Sequence, residues 1–151
     1  MRIISWNVNG IRAVVKKGFW DWFNLDAPDI MCFQETKAQP DQLDDTLIKP
    51  LGYKAYYHSA EKKGYSGVAT WCKTEPLSVE TTILDEKFNR EGRVVLTEHP
   101  KFFLYNVYFP NGQKDEDRLD YKLRFYAALI EHMREKDKIK PVIVTGDFNT
   151  A

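Results

Sequence analysis

Cysteine is nearly missing from this chain of 151 residues, and the two present, Cys32 and Cys72, form no CxxC or Cys-His spacing. Each sits inside an apolar run, so both read as reduced core residues in a reducing compartment, not as a disulfide framework. Histidine is equally scarce. His58, His99 and His132 lie apart without ligand spacing and read as surface or loop residues. No apolar stretch approaches bilayer-spanning length, and Met1-Arg2 leads straight into a strand pattern with no signal-peptide character. The expectation is a cytoplasmic chain with no membrane partner. An excess of either charge is also lacking: 22 Lys and Arg balance 22 Asp and Glu. That balance argues against a protein that coats polyanions over its whole surface and leaves only a local basic face open. No repeat, low-complexity tract or linker divides the chain, and its length suits one domain or part of one.

What is present is a strand-rich pattern interrupted by helices. An apolar share of 43% with 14% aromatics suffices for a packed core. Strands are predicted at Ile3–Val8, Asp29–Phe33, Tyr53–Ser59, Val68–Cys72, Leu77–Thr82, Arg93–Glu98, Phe102–Val107 and Val142–Val144. The spacing from Ile11 to Phe23 suits a helix broken near Gly18, with Arg12, Lys16 and Lys17 on its polar side, and Pro40–Leu47 suits a short helix. The clearest helix opens in the charged segment Lys114–Arg118. Leu119, Leu123, Tyr126, Ala127, Ile130 and Met133 then form its apolar stripe. Tyr53, Tyr56 and Tyr57 read as packing residues, whereas Tyr65 stands in a Gly-flanked polar loop where ligand contacts concentrate. Strands alternating with helices argue for a layered α/β sandwich.

Three strands that read as buried end in oxygen-bearing side chains: Asn7 and Asn9, Glu35, and Asp147 with Asn149. Residues two apart on an extended backbone share a side, and open α/β sheets bind ligands at the carboxyl ends of their strands. Each tip alone is also ordinary turn chemistry. Together they form a set of hard oxygen donors without Cys or His, which suits Mg²⁺, a cation that takes one or two carboxylates and keeps several waters. Such a site fits phosphoryl chemistry.

The segments SWNVNGIRA, CFQETK, KKGYSGVA, EGR, YFPNG and GDFNTA, in this order, resemble the exonuclease III family of apurinic/apyrimidinic endonucleases across essentially the whole chain. WN, QE and GDFN belong to the broader endonuclease/exonuclease/phosphatase superfamily; GYSGVA, EGR and YFPNG single out its DNA-repair branch. The resemblance implies a DNase I-like, four-layered α/β sandwich. It also implies that Glu35 is the principal metal ligand and that Asp147 orients or deprotonates the attacking water. Asn149 would stabilise the phosphate, Asn7 would brace the network, and Tyr108 would contact the scissile phosphate. Asn9 matches a position that is Asp in a number of relatives, Lys37 one that supports the metal side, and Arg12, Tyr65, Arg93 and Asn111 positions along the DNA track.

The implied activity is hydrolysis of a DNA phosphodiester 5′ to an abasic site, with Mg²⁺ (or Mn²⁺) as cofactor and a 3′-hydroxyl as product. A 3′→5′ exonuclease or 3′-phosphatase activity would accompany it. The implied partner is double-stranded DNA with abasic sites or 3′ ends. Family members continue well past GDFN, so residues 1–151 are expected to be the N-terminal portion of a single domain whose C-terminal half is absent. On that expectation the chain alone is inactive and needs the missing half as a partner. The alternatives are a phosphatase or sphingomyelinase-like phosphoesterase of the same superfamily, or a non-catalytic DNA-binding fragment.

Overall fold

The β-rich sequence folds into two four-stranded sheets packed face to face, each covered on its outer face by helices. The computed structural model describes residues 1–150; Ala151, the last residue of GDFNTA, lies outside them. The first sheet contains β1 (Ile3–Asn7), β2 (Ile30–Gln34), β3 (Lys54–His58) and β4 (Val68–Cys72), in the order β1-β2-β4-β3. The second contains β5 (Ser78–Glu80), β6 (Val94–His99), β7 (Phe102–Tyr108) and β8 (Val142–Asp147), in numerical order. β1 with β2 and β7 with β8 are parallel pairs; all other neighbours are antiparallel. A parallel pair needs a crossover connection, and the helices supply it. α1 (Ile11–Val15) and α2 (Phe19–Asp26) join β1 to β2, while the long α5 (Glu116–Asp137) joins β7 to β8.

Alternation along the inner strands explains the layers. On β2, Met31 and Phe33 point to the helices and join Phe19, Phe23, Leu47 and Trp71 in one core. Ile30 and Cys32 point the other way, meeting Cys72 and Leu104 between the sheets. On β7, Phe103, Tyr105 and Val107 face α5 and pack with Phe125 and Leu129. Both faces of these strands are covered, so β2 carries the near-continuous apolar run expected of a doubly buried strand. The result is helices, sheet, sheet, helices: four layers of an α/β sandwich. Both cysteines are buried and free, as their surroundings in the sequence imply. No helix among the described residues is long and apolar enough to cross a membrane.

Several expectations need correction. Among the described residues β1 and β8 stand at sheet edges and are not buried strands, with Trp6 and Ile143 each 39% exposed. Val142–Val144 carries the apolar, β-branched run of a buried strand, but β7 is its only neighbour among the described strands. α5 spans Glu116–Asp137, with the Asp115 carboxylate capping the Arg118 amide at 2.8 Å. Its expected stripe is rotated: Leu119, Leu123 and Ile130 are exposed, and Phe125 and Leu129 are buried instead. The helix is apolar on two sides, and the side with Phe125 and Leu129 packs on the second sheet, with Tyr126 and Met133 of the expected stripe at its margin. Pro40–Leu47 divides into a 3-10 turn, Pro40–Gln42, and α3, Asp45–Ile48, capped by Asp44. A further short helix, α4 (Glu86–Asn89), precedes β6. None of the histidines is a free surface residue. His58 and His99 lie in strands, with His99 buried, and His132 accepts or donates a 2.8 Å bond with the Tyr105 hydroxyl. The tyrosines 53, 56 and 57 do pack: Tyr53 and Tyr57 donate to the Pro28 and Leu47 carbonyls at 2.7 Å.

Candidate active site

The two parallel pairs bring four strand tips to one rim. Asn7 ends β1, Glu35 follows β2, Tyr108 ends β7 and Asp147 ends β8. The backbone is not extended beyond these tips. Asn9, Glu35, Lys37 and Asn149 all adopt positive φ, between 46° and 52°. The expectation that Asn7 and Asn9, or Asp147 and Asn149, share one side of an extended strand is therefore wrong in its reason. Each pair forms a turn in which the first side chain holds the second amide: Asn7 Oδ1 accepts from Asn9 N at 3.0 Å, and Asp147 Oδ1 from Asn149 N at 2.9 Å. Turn chemistry and site chemistry are here the same hydrogen bonds.

Asn7 lies at the centre. Its Nδ2 donates to Glu35 Oε1 and to Asp147 Oδ2, both at 2.8 Å, so one neutral amide joins two carboxylates from different sheets. On the other side of Glu35, Lys37 Nζ stands 3.2 Å from Oε2 and donates to Asn9 Oδ1 at 2.5 Å. Burial alone would raise the Glu35 carboxyl. The hydrogen bonds of Asn7, Tyr108 and Lys37, with the lysine charge, outweigh it and hold Glu35 below the usual carboxylate range. Burial and the neighbouring Glu35 push the Tyr108 phenol up to about 12, so it stays a hydrogen-bond donor at neutral pH. Asn149 Nδ2 donates to the Phe109 carbonyl at 2.7 Å, and Lys122 Nζ to the Asn149 carbonyl at 2.5 Å.

Two glycines permit this assembly. A Cβ on Gly146 would stand 1.8 Å from the Val107 carbonyl oxygen, so only glycine allows β8 to lie against β7 and place Asp147 opposite Tyr108. A Cβ on Gly67 would meet Thr36 Oγ1 at 2.3 Å. There the loop before β4 supports the strained tip: Thr36 N donates to the Gly67 carbonyl and Lys37 N to the Ser66 carbonyl.

Tyr65, Arg93, Tyr108 and Asn111 line one cleft of about 410 Å³ beside this centre, together with Gln113, Lys114 and Arg118. Arg93 is only 2% exposed, and each of its three guanidinium nitrogens donates a hydrogen bond. It donates to Glu91 at 2.7 Å, to the Tyr108 carbonyl at 3.0 Å and to the Tyr65 hydroxyl at 2.9 Å. It therefore braces the two tyrosines that face the cleft. Arg12 lies on the opposite flank, in an exposed basic hollow with Lys16, Lys17 and Lys37, and donates to the Lys37 carbonyl at 3.3 Å. The sequence reading passed over Glu91, which holds Arg93 and Arg118 together, and Lys122, which holds Asn149. Glu91 opens the EGR segment, so a signal was present; Lys122 sits in helix α5 with none.

The donor set can be tested against a cation directly. Glu35 Oε2 and Asn9 Oδ1 already converge on one positive charge, the Lys37 ammonium. No cluster of three Asp, Glu, His or Cys occurs among the described residues, which leaves an oxygen-only set with a single carboxylate. That composition fits Mg²⁺ surrounded largely by water, and fits zinc poorly. Glu35 and Asn9 are the residues that would hold it.

The profile of the Endonuclease/Exonuclease/phosphatase family matches residues 4–151. The exodeoxyribonuclease of Bacillus subtilis is 43% identical over 152 residues, covering all of this chain and 59% of that protein. DNA repair nuclease APEX1 of Danio rerio is 43% identical over 153 residues, again covering all of this chain but 49% of its own length. The chain thus spans about half the length of the curated relatives it matches. Among solved structures, the 3′-5′ exonuclease NExo of Neisseria meningitidis superimposes with a TM-score of 0.88 at 27% identity, covering 100% of this chain and 59% of that one. The APE2 catalytic domain of Xenopus laevis gives 0.86 at 33% identity, with coverage of 100% and 59%. From the strand-tip carboxylates, the four layers and these matches, the chain belongs to the endonuclease/exonuclease/phosphatase family.

Proposed function

We propose that this chain serves a Mg²⁺-dependent nuclease that hydrolyses the DNA phosphodiester 5′ to an abasic site, with 3′→5′ exonuclease or 3′-phosphatase activity from the same centre. The observation that carries the reading is the single Asn7 amide shared by Glu35 and Asp147. It holds a carboxylate on the cation side and a carboxylate on the water side at a fixed separation. The names of the relatives, an exodeoxyribonuclease and a DNA repair nuclease, support the substrate class.

Asp147 has one oxygen on Asn7 and the other on the Asn149 amide, which fixes the carboxylate at the rim, where it would meet the attacking water. That water attacks phosphorus and gives its proton to Asp147, while the P–O3′ bond breaks and the 3′ oxygen leaves with the bonding pair, taking a proton from solvent to become a hydroxyl; Asp147 later returns its proton to solvent. Bound at Glu35 and Asn9, Mg²⁺ would neutralise phosphate charge and stabilise the leaving oxygen. Tyr108, kept protonated, donates to a phosphoryl oxygen. Asn149 places its carbonyl on Lys122 and its amide on Phe109, so its part is to shape the turn under the phosphate. Arg12 on one flank and the Tyr65–Arg93–Asn111 cleft on the other offer two stations for a DNA backbone.

The test is incision of a duplex carrying one abasic site, run beside a sphingomyelin and an inositol polyphosphate substrate, with Asp147→Asn as control. We expect Mg²⁺-dependent incision that falls by about 10²–10⁴ in the variant while DNA affinity persists. Hydrolysis of either small phosphoester in preference to the duplex, or a variant that cleaves normally in a single turnover, would refute the reading.

A further inference from the structure

Behind the strand tips lies a second polar layer, buried between the sheets. Asn106 of β7 is fully buried, yet its amide is saturated. Its Nδ2 faces the Ala69 carbonyl at 2.8 Å, Thr70 Oγ1 at 3.1 Å and the Phe33 carbonyl at 3.2 Å. Its Oδ1 accepts from Gln34 Nε2 at 2.8 Å, and Gln34 also donates to Ser5 Oγ at 3.0 Å. The carbonyl partners only accept, so the network settles which end of the amide is nitrogen. All the partners belong to β1, β2 and β4 of the opposite sheet.

The position of this layer gives it meaning. Along β7, Leu104, Asn106 and Tyr108 share the face turned to the other sheet. Leu104 meets Ile30 and Cys32 in apolar contact, Asn106 meets Phe33 and Gln34, and Tyr108 meets Glu35. The polar layer is therefore one step beneath the active centre, and it grips the two residues before Glu35. It also grips Ala69 and Thr70, just past the loop that supports Thr36 and Lys37. An apolar pair would fill the same gap without desolvating two amides, but it would fix no direction and no register.

We infer that Asn106, through Gln34, is a positioning residue that sets the register of one sheet against the other and so fixes Glu35 opposite Tyr108 and Asp147. The inference rests on the reading of Glu35 as the cation-side ligand only for its functional consequence; the geometric part stands apart from it. Removing a residue that orients a ligand typically weakens metal affinity or activity about ten- to a hundredfold.

The experiment compares the intact chain with Asn106→Leu, Asn106→Ser and, as a control of equal burial on the same strand face, Leu104→Ala. Amide hydrogen exchange is followed at Thr36 and Lys37, and Mn²⁺ alone is titrated as the cation probe, with Glu35→Gln alongside. Asn106→Ser, the milder change, serves where the leucine variant does not fold. We expect both Asn106 variants to speed exchange at Thr36 and Lys37 and to weaken Mn²⁺ binding about tenfold or more. Leu104→Ala should lower stability without either effect. Unchanged exchange at Thr36 and Lys37, or equal effects from Leu104→Ala, would overturn the positioning role. Faster exchange with Mn²⁺ affinity indifferent to both Asn106→Leu and Glu35→Gln would uphold the positioning and refute the cation site instead.

Discussion

Glu91 gives the sharpest test of how this rim is held together. Its carboxylate accepts Arg93 Nε at 2.7 Å and both terminal nitrogens of Arg118 at 3.0 and 3.2 Å. Arg93 is almost fully buried, so Glu91→Gln removes the only carboxylate paired with that charge among the described residues. Breaking a buried ion pair costs about 3–5 kcal/mol, but glutamine keeps one acceptor oxygen and Arg118 is partly solvated. A loss of about 2–3 kcal/mol follows. At a urea slope of about 2 kcal/mol per M, the unfolding midpoint at pH 7 should fall by roughly 1–1.5 M. The pH dependence adds a second check. Burial would raise the Glu91 carboxyl, but the Arg118 hydrogen bond and the Arg93 charge hold it below its ordinary value of 4.5. A depressed carboxyl contributes stability that is fully present above its unfolded value and is lost as pH falls through the folded one. The gap between wild type and Glu91→Gln should therefore close as pH falls below about 4.5. A midpoint shift under about 0.3 M at pH 7, or an equal gap at pH 3, would refute the assigned role.

Other outcomes follow from the same geometry. Glu35→Gln should abolish most Mg²⁺ binding measured by titration calorimetry, because Asn9 is a neutral ligand; tight binding in that variant would place the cation elsewhere. Arg12→Ala should reduce the salt dependence of DNA affinity by about one unit of slope, and an unchanged slope would return Arg12 to an idle surface position. Gly146→Ala forces a Cβ to within 1.8 Å of the Val107 carbonyl oxygen at a φ of 143°. We expect it to cost about 3 kcal/mol or more in urea unfolding and to suppress incision by moving Asp147.

Much of this was legible in the sequence because the signals are local. Seven of the eight strands lie within two residues of where alternation and β-branched runs put them, β8 runs three residues past Val144, and Gly18 does separate two helices. The tips carrying Asn7, Glu35, Tyr108 and Asp147 do converge. What was not legible depends on partners distant in the chain. Whether Val142–Val144 is an inner or an edge strand depends on sheet order, which periodicity does not encode. The rotation of α5 depends on which of two apolar sides fits the sheet, so Phe125 displaced the expected Leu119–Leu123 stripe. The resemblance puts Arg93 on the DNA track, and only the fold reveals that its guanidinium is buried against Glu91. Asn106 carried no sequence signal, since a polar residue inside a strand run looks like an outward-facing one.

The bond from Asn7 to Asp147 joins residues 140 apart, whereas that from Asn7 to Glu35 spans only 28. Closing the longer loop costs about 1.4 kcal/mol more chain entropy, since that cost grows as (3/2)RT ln n. Contacts of such sequence separation also form late and slowly. Asp147 belongs to the last of the described strands and reaches its partner only after α5 has crossed the second sheet. A chain caught with only the first sheet formed therefore has Glu35 in place without Asp147 beside it. The Asn7 bridge between the two carboxylates is thus among the last contacts that the described residues make.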